Sequence, residues 1–132
     1  MALIDTSGWV EYLRRTGSLV NVRVRELLTD QDGAFVTDVV VAEVLMGARD
    51  EAHAGQLRRM LNRCTFVPTR PLSDFEEAAA IYRTCRRGGH TPRSLSDCLV
   101  AAVAIDRGLA LLHADRDFDQ MAEHIPLVMV GV

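Results

Sequence analysis

Four short, mostly apolar runs recur along this chain: Ala2-Leu-Ile4, Ala34-Phe-Val36, Thr65-Phe-Val67 and Ala110-Leu-Leu-His113. Much longer stretches of helical spacing separate them. Runs so short and so apolar suit strands buried on both faces, and strands separated by helices are joined in parallel. Leu127–Val130 reads as a further, final strand. The expectation is an α/β fold in three layers, with a central, mostly parallel sheet of about four to five short strands flanked by helices. Such sheets carry their chemistry just beyond the carboxyl ends of the strands.

The intervening segments carry helix punctuation. Ser7 is expected to cap a first helix running to about Arg15, and Val20–Leu28 to form a second, ended by Asp30-Gln-Asp-Gly33. Thr37 or Asp38 opens a third, reaching about Ala48, and Asp50–Arg63 a fourth with Leu57, Met60 and Leu61 on one face. Ser73–Arg87 should bury Phe75, Ala78, Ala79 and Tyr82 and stop at Gly88-Gly89. Ser94 starts a very apolar helix that Gly108 closes, and Phe118–Glu123 is a short one. Trp9 and Tyr12 share a helix face and read as core.

At 132 residues, with 48% hydrophobic and 25% charged residues, the chain is expected to fold as one domain, residues 1–132, around its own core. The longest apolar run, Leu99–Ile105, is far short of the ~20 residues of a membrane helix. Met1–Asp5 lacks the basic and apolar regions of a secretory signal. Cys64, Cys85 and Cys98 are an odd number with no close pair, as expected of reduced thiols in a cytoplasmic protein. All 15 basic residues are arginine. Without lysine there is no Schiff base and no Walker-type phosphate loop. The net charge of −3 leaves nucleic-acid affinity to a local patch or to cations at an acidic site.

Acidic residues fall where folding alone does not ask for them. Asp5 follows the first strand directly, although Asp-Thr-Ser is also a helix-capping sequence. Glu43 lies within Val39-Val-Val-Ala-Glu-Val-Leu-Met46, where a carboxylate is costly unless compensated. Asp97 opens the apolar helix, in a Ser94-Leu-Ser-Asp97 spacing that also fits a capping box. Asp115, Asp117 and Asp119 follow the strand ending at His113; Asp119 reads as a solvated helix start. If the strands run as expected, Asp5 and Asp115 share one sheet edge, which Glu43 and Asp97 can reach from their helices. Converging carboxylates repel each other unless a divalent cation neutralises them, and an all-oxygen set favours Mg²⁺ or Mn²⁺. The histidines His53, His90, His113 and His124 show no ligand-spaced pair and read as surface or loop residues.

In order and context these pieces resemble the PIN-domain ribonucleases, and among them the VapC-type toxins of bacterial toxin–antitoxin pairs. The resemblance spans Ile4-Asp-Thr-Ser7, Ala42-Glu-Val-Leu-Met-Gly47, Ser96-Asp97 and Ala114-Asp-Arg-Asp-Phe118. It implies a catalytic, metal-holding quartet of Asp5, Glu43, Asp97 and Asp115. Asp117 is then an accessory metal ligand, with Thr6 and Ser7 in support. It further implies an RNA substrate cleaved with one or two Mg²⁺ or Mn²⁺ ions, a VapB-type antitoxin, and a homodimer. An antitoxin helix carrying an arginine would suit an acidic groove.

Independently, Arg83–Arg93 contains Arg83, Arg86, Arg87 and Arg93 with no acid, in an otherwise acidic protein. It is a candidate RNA-binding patch or a solvated helix end. A DNA- or flap-directed nuclease and a non-catalytic interaction module remain alternatives at this point.

Overall fold

The computed structural model describes residues Met1–Val132. Its elements are β1 (Ala2–Ile4), α1 (Thr6–Leu13), α2 (Leu19–Thr29), β2 (Ala34–Val36), α3 (Asp38–Met46), α4 (Glu51–Leu61), β3 (Thr65–Phe66), α5 (Ser73–Arg87), α6 (Leu95–Asp106), β4 (Ala110–Leu112) and α7 (Arg116–Met121). The strands form one parallel sheet in the order β3-β2-β1-β4, flanked by helices in a three-layer α/β arrangement. Ile4 is paired with Leu112 and Leu3 with Phe35, which aligns the carboxyl ends of the central strands at one edge.

That order has a consequence for chemistry. From β1 the chain steps to β2 on one side, while β4 lies on the other. The loops leaving β1 and β4 therefore diverge and open a crevice, where ligands bind in sheets of this kind. Asp5 is the first residue after β1, and Asp115 lies three residues beyond β4.

The buried side chains explain why the elements hold. Leu3, Ile4, Val36, Leu111 and Leu112 from the sheet pack with Trp9, Val24, Val40, Leu61 and Phe118 from the helices. In α6 the run Cys98–Ala104 is buried without a break, so this helix is enclosed on every side and makes the middle of the helical packing. Trp9 is fully buried and meets Tyr12 edge-on at 5.9 Å, as expected of core, with its indole N–H lacking a partner. The three cysteines are unpaired. No helix is long and apolar enough to cross a membrane.

Three expectations are corrected. The segment Leu127–Val130 is not a strand but a single parallel bridge, Leu111 with Met129, because only Leu111 exchanges hydrogen bonds with it, at 2.8 and 2.9 Å. Ser7 does not cap α1. Asp5 does, its Oδ2 accepting the Ser7 N–H at 3.0 Å. The face of α5 that is buried carries Asp74, Ala78, Ile81 and Cys85, leaving Phe75 and Ala79 exposed. The cause is an ion pair inside the protein: Arg107, only 12% exposed, forks both guanidinium nitrogens onto Asp74 at 2.9 Å and donates to the Pro68 carbonyl at 2.8 Å. A charge drawn inward rotates the helix away from its aromatic stripe.

Candidate active site

Asp5 is buried where β1 ends. Its Oδ2 accepts both the Ser7 N–H and the Ser7 hydroxyl, at 3.0 and 2.6 Å. The same Ser7 Oγ accepts the Ala114 N–H at 2.9 Å, tying the loop after β4 to that after β1 across the crevice. Burial raises the Asp5 carboxyl above the usual range, against the lowering effect of its Ser7 bonds; Glu43 adds a smaller rise.

Glu43 reaches the same edge from α3. One oxygen accepts the Thr6 hydroxyl at 2.7 Å and the other the Ser96 hydroxyl at 3.4 Å. The otherwise apolar helix is thus half-open at this point, and two hydroxyls from different elements compensate its charge. Ser96 is the partner that sequence reading assigned no task; its signal was adjacency to Asp97.

Asp97 lies in the first turn of α6, half-buried. Only half of the expected capping box is present, the Asp97 N–H donating to Ser94 Oγ at 3.1 Å. Its carboxyl is pushed up to about 7, first by burial and then by the charges of Asp5, Asp115 and Asp117. No cationic side chain pairs with Asp5, Glu43 or Asp97.

Asp115 and Asp117 are treated differently. Asp115 caps α7 through Oδ1, which accepts the Asp117 N–H at 3.0 Å, while Oδ2 is paired with the guanidinium of Arg93. Asp117 is buried and turned toward the loop between α5 and α6. There His90 Nε2–H donates to it at 2.7 Å and the Arg93 N–H approaches at 3.4 Å. Asp119 is exposed, as expected, with His113 Nε2 3.4 Å away. His113 departs from expectation: it is largely buried, its ring tilted at 53° to that of Phe118 with centroids 5.2 Å apart, and its Nδ1 accepts the Asp115 N–H at 3.0 Å. Arg83, Arg86 and Arg87 are exposed on α5, with Arg86 5.5 Å above the Tyr82 ring, and make no bond to the acids.

The structure thus brings Asp5, Glu43, Asp97 and Asp115 to one edge and through-space coupling. It does not draw three of these side chains into ligating distance of a single point. The donor set itself suits a hard divalent cation: carboxylates, three of them without a cationic partner, one pushed up to about 7 by burial and then by its neighbours' charge. An added positive charge is what this group of residues lacks.

The family model for the PIN domain matches residues 2–124. "VapC ribonuclease Mb1587" of Mycobacterium bovis is 44% identical over 123 residues, covering 92% of each chain. "Ribonuclease VapC11" of Mycobacterium tuberculosis matches to the same extent, 44% identical over 123 residues and 92% of each chain. Among solved structures, the VapBC2 complex from Rickettsia felis superposes with a TM-score of 0.77 over 98% of this chain and 96% of that one, at 15% identity. FitAcB from Neisseria gonorrhoeae does so at 0.74 over 99% and 97%, at 20% identity. Those likenesses carry the fold. With the acid-lined crevice between β1 and β4 and the length of the sequence match, they have one reading: the chain belongs to the PIN-domain family and is homologous to its VapC-type toxins.

Proposed function

We propose that this chain is an endoribonuclease, hydrolysing RNA phosphodiester bonds with Mg²⁺ or Mn²⁺ as the toxin of a toxin–antitoxin pair. The observation that carries the reading is the gathering of Asp5, Glu43 and Asp97 at one sheet edge with no cation of the chain paired to them, where burial and then the neighbouring acids push the Asp97 carboxyl up to about 7. A protein retains such unrelieved charge where a bound cation or a substrate uses it. The names of the 44%-identical relatives supply the substrate class.

In this reading Asp5, Glu43, Asp97 and Asp115 hold one or two ions. Bound there, a divalent cation supplies Lewis-acid chemistry, acidifying water and offsetting charge on the phosphate oxygens. The chain's own part is to fix the donors. Ser7 orients Asp5 and links the two loops that flank the crevice. Thr6 and Ser96 grip Glu43 from two elements, so its carboxylate faces the edge in one orientation. Asp117, held by His90, acts on the site through its charge and through the α7 start it shares with Asp115. Arg83, Arg86 and Arg87 offer exposed guanidinium groups to the RNA backbone beyond the crevice.

The partner in this reading is a VapB-type antitoxin whose arginine, borne on an amphipathic helix, enters the acidic crevice. The toxin is a homodimer; the exposed Leu95, which lines an apolar groove of about 290 Å³ between α5 and α6, is the candidate for its contact. The test is RNA cleavage by Asp5→Asn, Glu43→Gln and Asp97→Asn in Mn²⁺. Each should fold and lose turnover by orders of magnitude. Wild-type cleavage that persists in excess chelator refutes the metal mechanism.

A further inference from the structure

The arginines near the acids are held in two distinct ways. Arg107 is clamped: 12% exposed, forked onto Asp74, and bonded to a backbone carbonyl as well. Arg93 is not. Its side chain is 64% exposed and its one ion pair is with Asp115 Oδ2. Its backbone, by contrast, is anchored on both sides, because Pro92 is buried and Ser94 caps α6. The side chain can leave without moving the loop.

Asp115 is prepared for that departure. Its Oδ1 is fixed by the N-cap of α7, so the carboxylate keeps its orientation when Oδ2 is released. The released oxygen belongs to a carboxylate whose charge Asp97 already feels. Next to it is a depression of about 370 Å³ lined in part by Arg93, Asp115, Arg116 and Gln120, with Ala114 its one apolar residue. Arg83, Arg86 and Arg87 have no comparable tie to an acid.

We propose that Arg93 is a displaceable counterion of Asp115: it yields the Oδ2 oxygen to an incoming divalent cation and then closes on an RNA phosphate in the adjoining depression. This rests on the metal-dependent RNA cleavage proposed above. An exposed ion pair shifts an equilibrium by only about two- to fivefold, so a doubly charged ion displaces it readily. The guanidinium fork that is set free matches the geometry of a phosphate. Metal and RNA binding thereby become mutually favourable, since the ion that takes Asp115 also releases the arginine that takes the phosphate.

The test uses the full chain and two titrations. Mn²⁺ alone is titrated calorimetrically into wild type, Arg93→Gln, and Arg59→Gln, an exposed α4 arginine that controls for net charge. Arg93→Gln should bind Mn²⁺ about two- to fivefold more tightly than either of the others. A short fluorescent single-stranded RNA is then titrated in Ca²⁺ at several salt concentrations. Arg93→Gln should bind it more weakly, with a salt slope shallower by about 0.7, one phosphate contact's worth. Equal or weaker Mn²⁺ affinity in Arg93→Gln overturns the displacement, as does unchanged RNA binding. Failure of all three proteins to bind Mn²⁺ refutes the metal reading itself, and this proposal falls with it.

Discussion

Replacing Asp97 by asparagine should stabilise the metal-free protein, and only above acid pH. The carboxyl is raised from its ordinary value of 3.8 to about 7 by burial and by Asp5, Asp115 and Asp117. A folded-state pKa above the unfolded one means that folding favours the proton. The contribution of Asp97 is therefore intact below 3.8, is lost as pH climbs toward about 7, and is fully lost beyond it. At about 1.4 kcal/mol for each tenfold change, that interval sets an upper bound of about 4 kcal/mol. Asp97 is half-exposed, and solvent screening reduces the figure to about 1–2 kcal/mol. Asparagine keeps the shape and the backbone bond to Ser94 Oγ while losing the charge. Melts in chelator should show equal midpoints for variant and wild type near pH 4. Near pH 8 the variant should lead by several degrees, on the order of 3–8 °C for a chain of this size. Adding Mn²⁺ at pH 8 should raise wild type and close the gap. A lead that is the same at both pH values, or a variant that melts lower at pH 8, refutes the electrostatic account of this site.

Ser7→Ala removes the hydroxyl that joins Asp5 to the Ala114 N–H, and should cost about 1–2 kcal/mol of stability together with RNA cleavage. Denaturant melts and turnover read the two effects separately, and a variant with full turnover removes Ser7 from the site. Asp74→Ala leaves the enclosed Arg107 without its main partner and should cost about 3–5 kcal/mol, whereas Asp106→Ala, which removes a solvent-exposed carboxylate shared between Arg70 and Arg107, should cost under about 1 kcal/mol. Gly88→Ala places a methyl group 2.3 Å from His124 Nδ1 and should destabilise by about 1–3 kcal/mol. Shortening the opposing side chain in a Gly88→Ala, His124→Ala double variant should recover part of it, measured as a non-additive double-mutant cycle.

Much of this architecture can be read from residue order, because both of its signals are local. Three-residue apolar runs between helical stretches specify β1, β2 and β4, and their parallel pairing follows from the helices between them. That Asp5 and Asp115 share an edge follows from the same reasoning. What resists reading is long-range. The orientation of α5 depends on Arg107, 33 residues from Asp74, so its aromatic residues suggest the wrong face. The pattern Asp74, Ala78, Ile81, Cys85 has helical spacing, but an acid at its head argues against burial until its partner is seen. The pairing of His90 with Asp117 spans 27 residues and has no sequence signature. The fate of Leu127–Val130 depends on a partner strand: Leu111 makes both hydrogen bonds to it, and its neighbours in β4 add none.

The enclosure of α6 has a further consequence, for the time over which the acidic edge persists. Amides exchange with solvent by local opening where an element has an exposed flank, and only by whole-molecule unfolding where it has none. Cys98–Ala104 have none. Their amides should therefore be among the slowest to exchange in the protein, and Asp97 stands at the head of this most protected segment. The loops that carry Asp115 and Arg93 can breathe on their own timescale while the carboxylate at the head of α6 stays in place. Isotope exchange should thus divide the acids into a fixed post and a movable rim.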